Sequence, residues 1–263
     1  MPVDSTRPTY DLSLLDGSQS AWERSSGLRY LYGAFYGAIA KECCEGATLE
    51  LGSGIGVSKE FIPGVITSDL VKTRYVDRAM SAYAIAKQEG GEGWSNIIAL
   101  DVLHHLASPL SFFESAAQAL RPGGRLVLME PAATKFGRVF YSSFHHEPVR
   151  VKEIIPPFEF ESNGPDGTFA NMGMGVGLFE RNGDVIGRTL TAYQLQVRAI
   201  RYQDVLAYPL TGGYSRKQML PTCCLRWLHA MENRIPQPLM RRIGLRMLIV
   251  IEKVHALDLA NKI

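Results

Sequence analysis

Leu49-Glu50-Leu51-Gly52-Ser53-Gly54-Ile55-Gly56 is the stretch on which the fold turns. Leu49 and Leu51 close a short apolar run, and glycines at 52, 54 and 56 then stop its regular continuation. Glycine enters left-handed backbone conformations without steric cost, and it has no Cβ to hold a neighbour away. The spacing predicts the end of a buried strand, a glycine turn, and a short helix over 57–61. Such a turn brings backbone N–H groups close to whatever lies above it.

Downstream, Val65-Ile66-Thr67-Ser68 reads as a second strand closing on Asp69. Residues 76–80 allow a short third strand, with Ser81-Ala82 just past its end, and 90–93 is a glycine turn. Asn96-Ile97-Ile98-Ala99-Leu100 is a buried strand. Residues 109–120 are helical, with Leu110, Phe113, Ala117 and Leu120 on one face, and Arg121-Pro122-Gly123-Gly124 stops that helix. Residues 125–129, 195–200 and 246–254 read as further strands. Strands alternating with helices predict an α/β fold built on a doubly wound, Rossmann-like parallel sheet. On such sheets ligands bind at the carboxyl ends of the strands, near the switch in strand order.

Upstream, residues 1–19 form a polar lead-in. Residues 20–45 are helical, with Trp22, Leu28, Leu31, Tyr32, Phe35, Tyr36 and Ile39 at helical spacing. That stripe suits core packing or a lid over a pocket. Past Pro131 the pattern loosens, through Ile155-Pro156-Pro157-Phe158 and Gly164-Pro165-Asp166-Gly167. A structureless loop that long is uncommon in a compact domain, so an ordered insertion is expected. Residues 216–234 read as helical, broken at Pro221.

The 263 residues are 46% hydrophobic and 21% charged, with a formal net charge of +2. This is globular composition, and the charge implies no field for nucleic acid. There is no apolar run near the roughly 18 residues of a membrane span. The first 16 residues lack the apolar core of a signal peptide. Cysteines occur only as the adjacent pairs Cys43-Cys44 and Cys223-Cys224, a spacing that suits neither zinc nor a disulfide framework. Free thiols in a reducing cytoplasm are expected.

The glycine run is G-x-G-x-G. A dinucleotide fingerprint needs glycine where Val57 stands. Asp69, ending the next strand, can accept hydrogen bonds from both hydroxyls of an unphosphorylated ribose. Its plainer role is a strand-end turn or cap.

Together, Leu49 to Gly56, Ser68-Asp69, Ala99-Leu100-Asp101-Val102-Leu103-His104-His105-Leu106 and Leu120-Arg121-Pro122-Gly123-Gly124-Arg125-Leu126 resemble the ordered motifs of class I S-adenosylmethionine (SAM)-dependent methyltransferases of the small-molecule type. The resemblance implies a seven-stranded sheet closed by an antiparallel pair, here about 195–200 and 246–254. It also implies N-terminal helices and an inserted substrate-side subdomain. The expected organisation is a helical lid over 1–45 and a methyltransferase domain over 46–263, with insertions at about 132–190 and 209–243. SAM is the implied cofactor. Glu50, Gly52, Ser53, Gly54 and Gly56 would surround its methionine end, and Asp69 would hold the ribose with Leu70 on the adenine. Ser81 and Ala82 stand where the family often has an acid for the adenine amino group, so that contact is weaker here. Leu100 and Asp101 would lie beside the methionine moiety.

His104 and His105 follow the fourth strand. In the family a histidine in this loop can face the acceptor, and an imidazole titrates where removing a hydroxyl proton helps attack on a sulfonium methyl. His104 is the expected base, and His105 the expected cap or backbone partner. Glu130 ends the fifth strand and can orient a histidine, bind an acceptor hydroxyl, or simply be solvated. His145-His146-Glu147, Asn171 and Tyr214 are candidate pocket residues; Tyr214 is also an ordinary turn residue. Three consecutive side chains do not converge easily, so no metal centre is expected at 145–147. The basic, partly apolar stretch 217–246 allows contact with a membrane surface or a lipid-like substrate. Its plainer reading is a packed helix with a solvated basic face.

The expected activity is methyl transfer to a small-molecule acceptor, at a hydroxyl or an activated carbon. No Asn-Pro-Pro-Tyr-like motif for base amino groups follows the fourth strand. A nicotinamide-dependent oxidoreductase and a non-catalytic SAM-binding protein are the competing readings.

Overall fold

The computed structural model describes residues 12–88, 91–161 and 169–254. Most of the polar lead-in, Gly90 of the glycine turn, and the Gly164-Pro165-Asp166-Gly167 stretch lie outside the described residues. One sheet of seven strands organises the molecule: β1 Thr48–Leu51, β2 Ile66–Asp69, β3 Arg78–Ala79, β4 Trp94–Leu100, β5 Leu120–Pro131, β6 Leu195–Gln203 and β7 Arg246–Lys253. Their order is β3-β2-β1-β4-β5-β7-β6. The first five strands are parallel, and β7 runs antiparallel to both β5 and β6. The order reverses between β1 and β4, which sets the glycine turn beside the loop that follows β4.

Alternation along each strand divides the core in two. Ile97, Ala99, Leu126, Leu128, Ile249 and Ile251 face one side. There they meet Phe112, Phe113 and Ala116 of α3 (Pro109–Ala119) and Ile186 and Leu190 of α6 (Gly183–Ala192). Ile98, Leu100, Val127, Met129, Leu248 and Val250 face the other side. That face is covered by α2 (Ser26–Glu42), through Leu28, Leu31, Tyr32, Phe35, Tyr36 and Ile39, and by Leu225 of α7 (Thr222–Glu232). The N-terminal aromatic stripe is therefore core.

The helix expected over 20–45 is two helices, α1 (Leu12–Arg24) and α2, separated at Ser25. Ser25 is extended and its hydroxyl accepts from the Leu28 N–H at 3.1 Å, so an N-cap starts a new helix there. The helix expected over 57–61 is a single 3₁₀ turn, Val57–Glu60. Among the described residues no helix joins β2 to β3 or β3 to β4. The Arg121 to Gly124 stop belongs to β5 and runs through a register shift opposite Trp94 and Asn96.

The long insertion is ordered where described. It holds α4 (Lys135–Phe144), a 3₁₀ turn at Val151–Glu153, α5 (Met174–Val176) continuing as a π turn through Gly177–Arg181, and α6. Residues 216–221 are not helical; α7 begins after Pro221 and is followed by α8 (Gln237–Ile243), which periodicity did not separate. Proline at the entry of each helix is tolerated because the first N–H groups lack partners. The basic stretch buries Leu225 against α2 and leaves Trp227 exposed. No helix of the described residues is long and apolar enough to cross a membrane.

Candidate active site

Gly52, Gly54 and Gly56 all take left-handed backbone angles, with φ of 64°, 54° and 67°. A Cβ at Gly52 would strike the Val102 side chain at 2.5 Å, and one at Gly56 would strike the Tyr75 carbonyl oxygen at 2.4 Å. A Cβ at Gly54 would meet no protein atom within 4 Å, so the middle glycine borders open space. Asp69, at the tip of β2, closes over this turn. One oxygen accepts from the Gly54 N–H at 2.9 Å and the other from the Leu70 N–H at 2.8 Å. Two lone pairs per oxygen leave accepting capacity for a ligand. Leu70 beside it is mostly exposed. Ser53 stitches the turn to β2: its hydroxyl accepts from the Ser68 N–H at 3.1 Å.

Glu50 sits beneath the turn rather than in it. Its carboxylate is buried and accepts from the Tyr36 hydroxyl at 2.7 Å and the Ser58 hydroxyl at 2.5 Å. Burial pushes its pKa up. Its reach to a cofactor's methionine end thus runs through the backbone it supports. Ser81 turns its hydroxyl to the Tyr83 N–H at 3.2 Å, and Ala82 packs into the core. Leu100 is buried against α2, on the sheet face opposite to β1's leucines.

Asp101 follows β4 in a left-handed conformation, φ 59°, which is uncommon for a residue with a side chain. Its carboxylate makes a two-pronged ion pair with Arg246, at 2.7 and 2.9 Å. The guanidinium is buried over the adjoining Phe35 (4.8 Å) and Tyr208 (4.6 Å) rings. Tyr214 stands in a turn, as its plainer reading has it, and its ring joins this group edge-on to Tyr32 at 5.5 Å. Arg246 was not anticipated. An arginine opening an otherwise apolar strand was the available signal, and its partner lies 145 positions away.

Glu130 organises the loop after β4. It is fully buried, and its two oxygens accept from the N–H groups of Val102 (2.9 Å), Leu103 (2.8 Å) and His104 (3.2 Å). Its remaining partner is His104 Nδ1, at 2.7 Å. Of the roles open to it, Glu130 therefore orients the histidine and does not meet solvent. Burial draws the His104 imidazole down, but the Glu130 carboxylate, with Glu147 behind it, lifts its pKa to about 10. Glu147 approaches from the loop after α4: one oxygen is 3.5 Å from His104 Nε2, the other 3.7 Å from His105 Nε2. Burial raises the Glu147 carboxyl, yet His104 and the neighbouring imidazoles hold it down at about 2. His105 is half exposed, with Nδ1 at 3.4 Å from the Phe169 carbonyl oxygen. Burial and the His104 charge lower its pKa.

The structure thus brings His104, His105, Glu130 and Glu147 together, with the His145 and His146 rings stacked at its edge. Asn171 does not offer its side chain to the pocket. Oδ1 accepts from the Arg150 and Gly173 N–H groups, and Nδ2 donates to the Arg150 carbonyl oxygen. Its own N–H donates to the His104 carbonyl oxygen at 2.9 Å, so Asn171 ties the histidine loop to the insertion.

Strand order, glycine turn, strand-end acid and carboxylate-held histidine occur together with a match of residues 39–159 to the methyltransferase domain family. The chain carries a class I SAM-dependent methyltransferase domain. No curated protein matches the sequence. Among solved structures, a chain of the Haloferax volcanii complex between the Trm112 methyltransferase activator and a methyltransferase is 11% identical. The match covers 95% of this chain and all of that one, with a TM-score of 0.50. A SAM-dependent methyltransferase from Archaeoglobus fulgidus is 10% identical over 86% of this chain and 94% of that one, TM-score 0.48. One from Mesorhizobium loti is 12% identical over 82% and 96%, TM-score 0.45. At such identities the likeness is one of fold. The methyltransferase assignment sets aside the nicotinamide-dependent and non-catalytic readings. The residues present fit SAM: a glycine cradle open at Gly54, a strand-end carboxylate above it, and an exposed apolar Leu70 at its side.

Proposed function

We propose that this methyltransferase acts on a hydroxyl, or on the activated carbon of an enol or phenol, of a small organic acceptor bound against His104, His105 and Glu147. The observation that carries the reading is the 2.7 Å bond between buried Glu130 and His104, which fixes an imidazole in the loop beside the glycine turn. When bound, SAM supplies an electrophilic methyl group on a positively charged sulfur. Asp69 would accept from the ribose hydroxyls, the backbone at Ser53 to Gly56 would cradle the methionine end, and Leu70 would lie on the adenine. Holding acceptor and methyl group in line accounts for most of the acceleration in such a displacement. His105 Nε2 and the Glu147 carboxylate form the polar wall that receives the acceptor's proton, beside the His104 ring that Glu130 holds charged. The near-neutral net charge supports a small acceptor over nucleic acid.

The test is transfer of labelled methyl from SAM to panels of phenols, enols, hydroxy acids and amines. Labelling of an oxygen or carbon acceptor is expected, with Glu147→Gln lowering turnover by on the order of 10²-fold while SAM affinity by calorimetry holds. Labelling confined to amines overturns the hydroxyl or carbon assignment.

A further inference from the structure

We propose that His104, His105 and Glu147 form a binding site for one divalent transition-metal ion of the zinc, iron, cobalt or nickel kind. Nε2 of each histidine and the Glu147 carboxylate lie within 4.8 Å of one another. The Nε2 to oxygen separations of 3.5 and 3.7 Å are too long for strong hydrogen bonds. His104 Nε2 faces one Glu147 oxygen and His105 Nε2 the other, so the carboxylate lies across both rings at a spacing near the roughly 3.4 Å edge of a tetrahedron with corners about 2.1 Å from a central ion.

The hydrogen bonds behind the rings set their orientation. His104 Nδ1 faces the Glu130 carboxylate at 2.7 Å, and His105 Nδ1 faces the Phe169 carbonyl oxygen at 3.4 Å. Both partners only accept, so each Nδ1 carries a proton and each Nε2 faces Glu147; the proton that His104 holds there is the one an ion would displace. A metal-binding histidine is commonly held in this way, by a carboxylate or carbonyl on its far nitrogen. Glu147 Oε2 is buried without a hydrogen-bond partner. Two ring nitrogens and a carboxylate thus converge on one point, with one carboxylate oxygen left unpartnered there. The consecutive residues 145–147 argued against a metal because they cannot converge; only Glu147 does, and its companions come from the loop after β4, pinned to the insertion by Asn171.

Two imidazoles and one carboxylate select a transition metal over magnesium or calcium, which take oxygen ligands. Three protein ligands leave a fourth position. If the methyl-transfer reading holds, an acceptor hydroxyl reaching that position would be acidified by the ion; the metal site itself does not rest on that reading.

The full chain, stripped with chelator, is titrated with Co²⁺ and then displaced by Zn²⁺, following visible absorption and calorimetry. One equivalent with the absorption of four-coordinate cobalt is expected. His105→Ala and Glu147→Gln should each weaken it by more than about tenfold, with SAM affinity unchanged as proof of folding. Serine at Cys43, Cys44, Cys223 and Cys224 together should leave cobalt binding unchanged. No stoichiometric binding, which would leave a proton on His104 as the only cation held there, overturns the proposal. So does binding that survives both ligand variants or that disappears with the cysteines. Metal binding without methyl transfer to any acceptor would sink only the proposed function, and methyl transfer without metal binding only this site.

Discussion

Asp69 is the residue on which cofactor binding should depend most sharply. Its carboxylate already aligns the Gly54 N–H, so removing it takes away a ligand acceptor and loosens the turn together. Asp69→Ala is expected to weaken SAM binding by on the order of 1–3 kcal/mol, as for hydrogen bonds to a charged group. Calorimetry checks this, and an unchanged affinity would remove Asp69 from the site. Asp69 was legible because strand, glycine turn and strand-end acid lie within twenty or so positions and each has a local signature. Glu130 and Glu147 were legible as acids at strand or loop ends, but not by role. Whether a carboxylate orients a ring or faces a pocket depends on which backbone N–H groups fold over it, and those sit 26 to 28 positions earlier. Arg246 carries little local signal beyond a charge opening an apolar strand; its meaning lies in Asp101 and in the two adjoining rings that it covers.

At the scale of the element, α2 joins the core to the floor of the glycine turn. Tyr36 packs with Phe61 at 5.8 Å while its hydroxyl reaches Glu50. Tyr36→Phe keeps the ring and strips one of two hydroxyl donors from a buried carboxylate. The expected cost is about 1–3 kcal/mol, a fall of several degrees in Tm at roughly 2–4 °C per kcal/mol for a chain of this size. A melt that matches the wild type would show that Glu50 needs only Ser58. Most elements were visible in periodicity, because a 3.6 or 2.0 repeat is imposed by the face that each element buries. The misreadings have physical causes. Ser25 splits one apolar stripe into two helices by capping the second, and the stripe continues across the break. The 57–61 stretch stops at one 3₁₀ turn since Pro63 and Gly64 leave no room for a longer helix. The division between α7 and α8 falls in a stretch whose apolar residues are partly exposed, Trp227, Met231 and Leu239 among them, so no single apolar face marks the gap.

On the whole molecule, stability carries a pH dependence set by two buried acids far from any sequence motif. Asp204 lies beside Glu232, whose carboxylate accepts from the N–H groups of Val205, Leu206 and Ala207. Burial, then the Glu232 charge, pushes the Asp204 carboxyl up to about 7, and one of its oxygens has no hydrogen-bond partner. The folded state therefore holds a proton that the unfolded chain, titrating near 3.8, has lost. Stability then falls as pH rises from about 4 to about 7 and levels off above. Between pH 5 and 8 this group removes roughly 2–3 kcal/mol. Asp204→Asn, tolerated at its left-handed φ of 57°, should shrink the difference in denaturant midpoint between those pH values. A variant with the same pH slope as the wild type would show that Asp204 is ionised in the fold.

Strand β7 has a consequence for how the protein is made. It lies between β5 and β6 and pairs with both, yet among the described residues it is the last strand in sequence. While the polypeptide emerges from the ribosome, β6 is synthesised more than forty residues before β7, its partner among the described residues, and β5 waits longer still with one edge bare. Such non-local pairings are closed late in folding. The first residue of β7 is Arg246, the partner that anchors Asp101 beside the glycine turn. Insertion of this strand therefore completes the sheet and clasps the loop after β4 in a single event, so a nascent chain lacks that ordered arrangement until β7 has been translated.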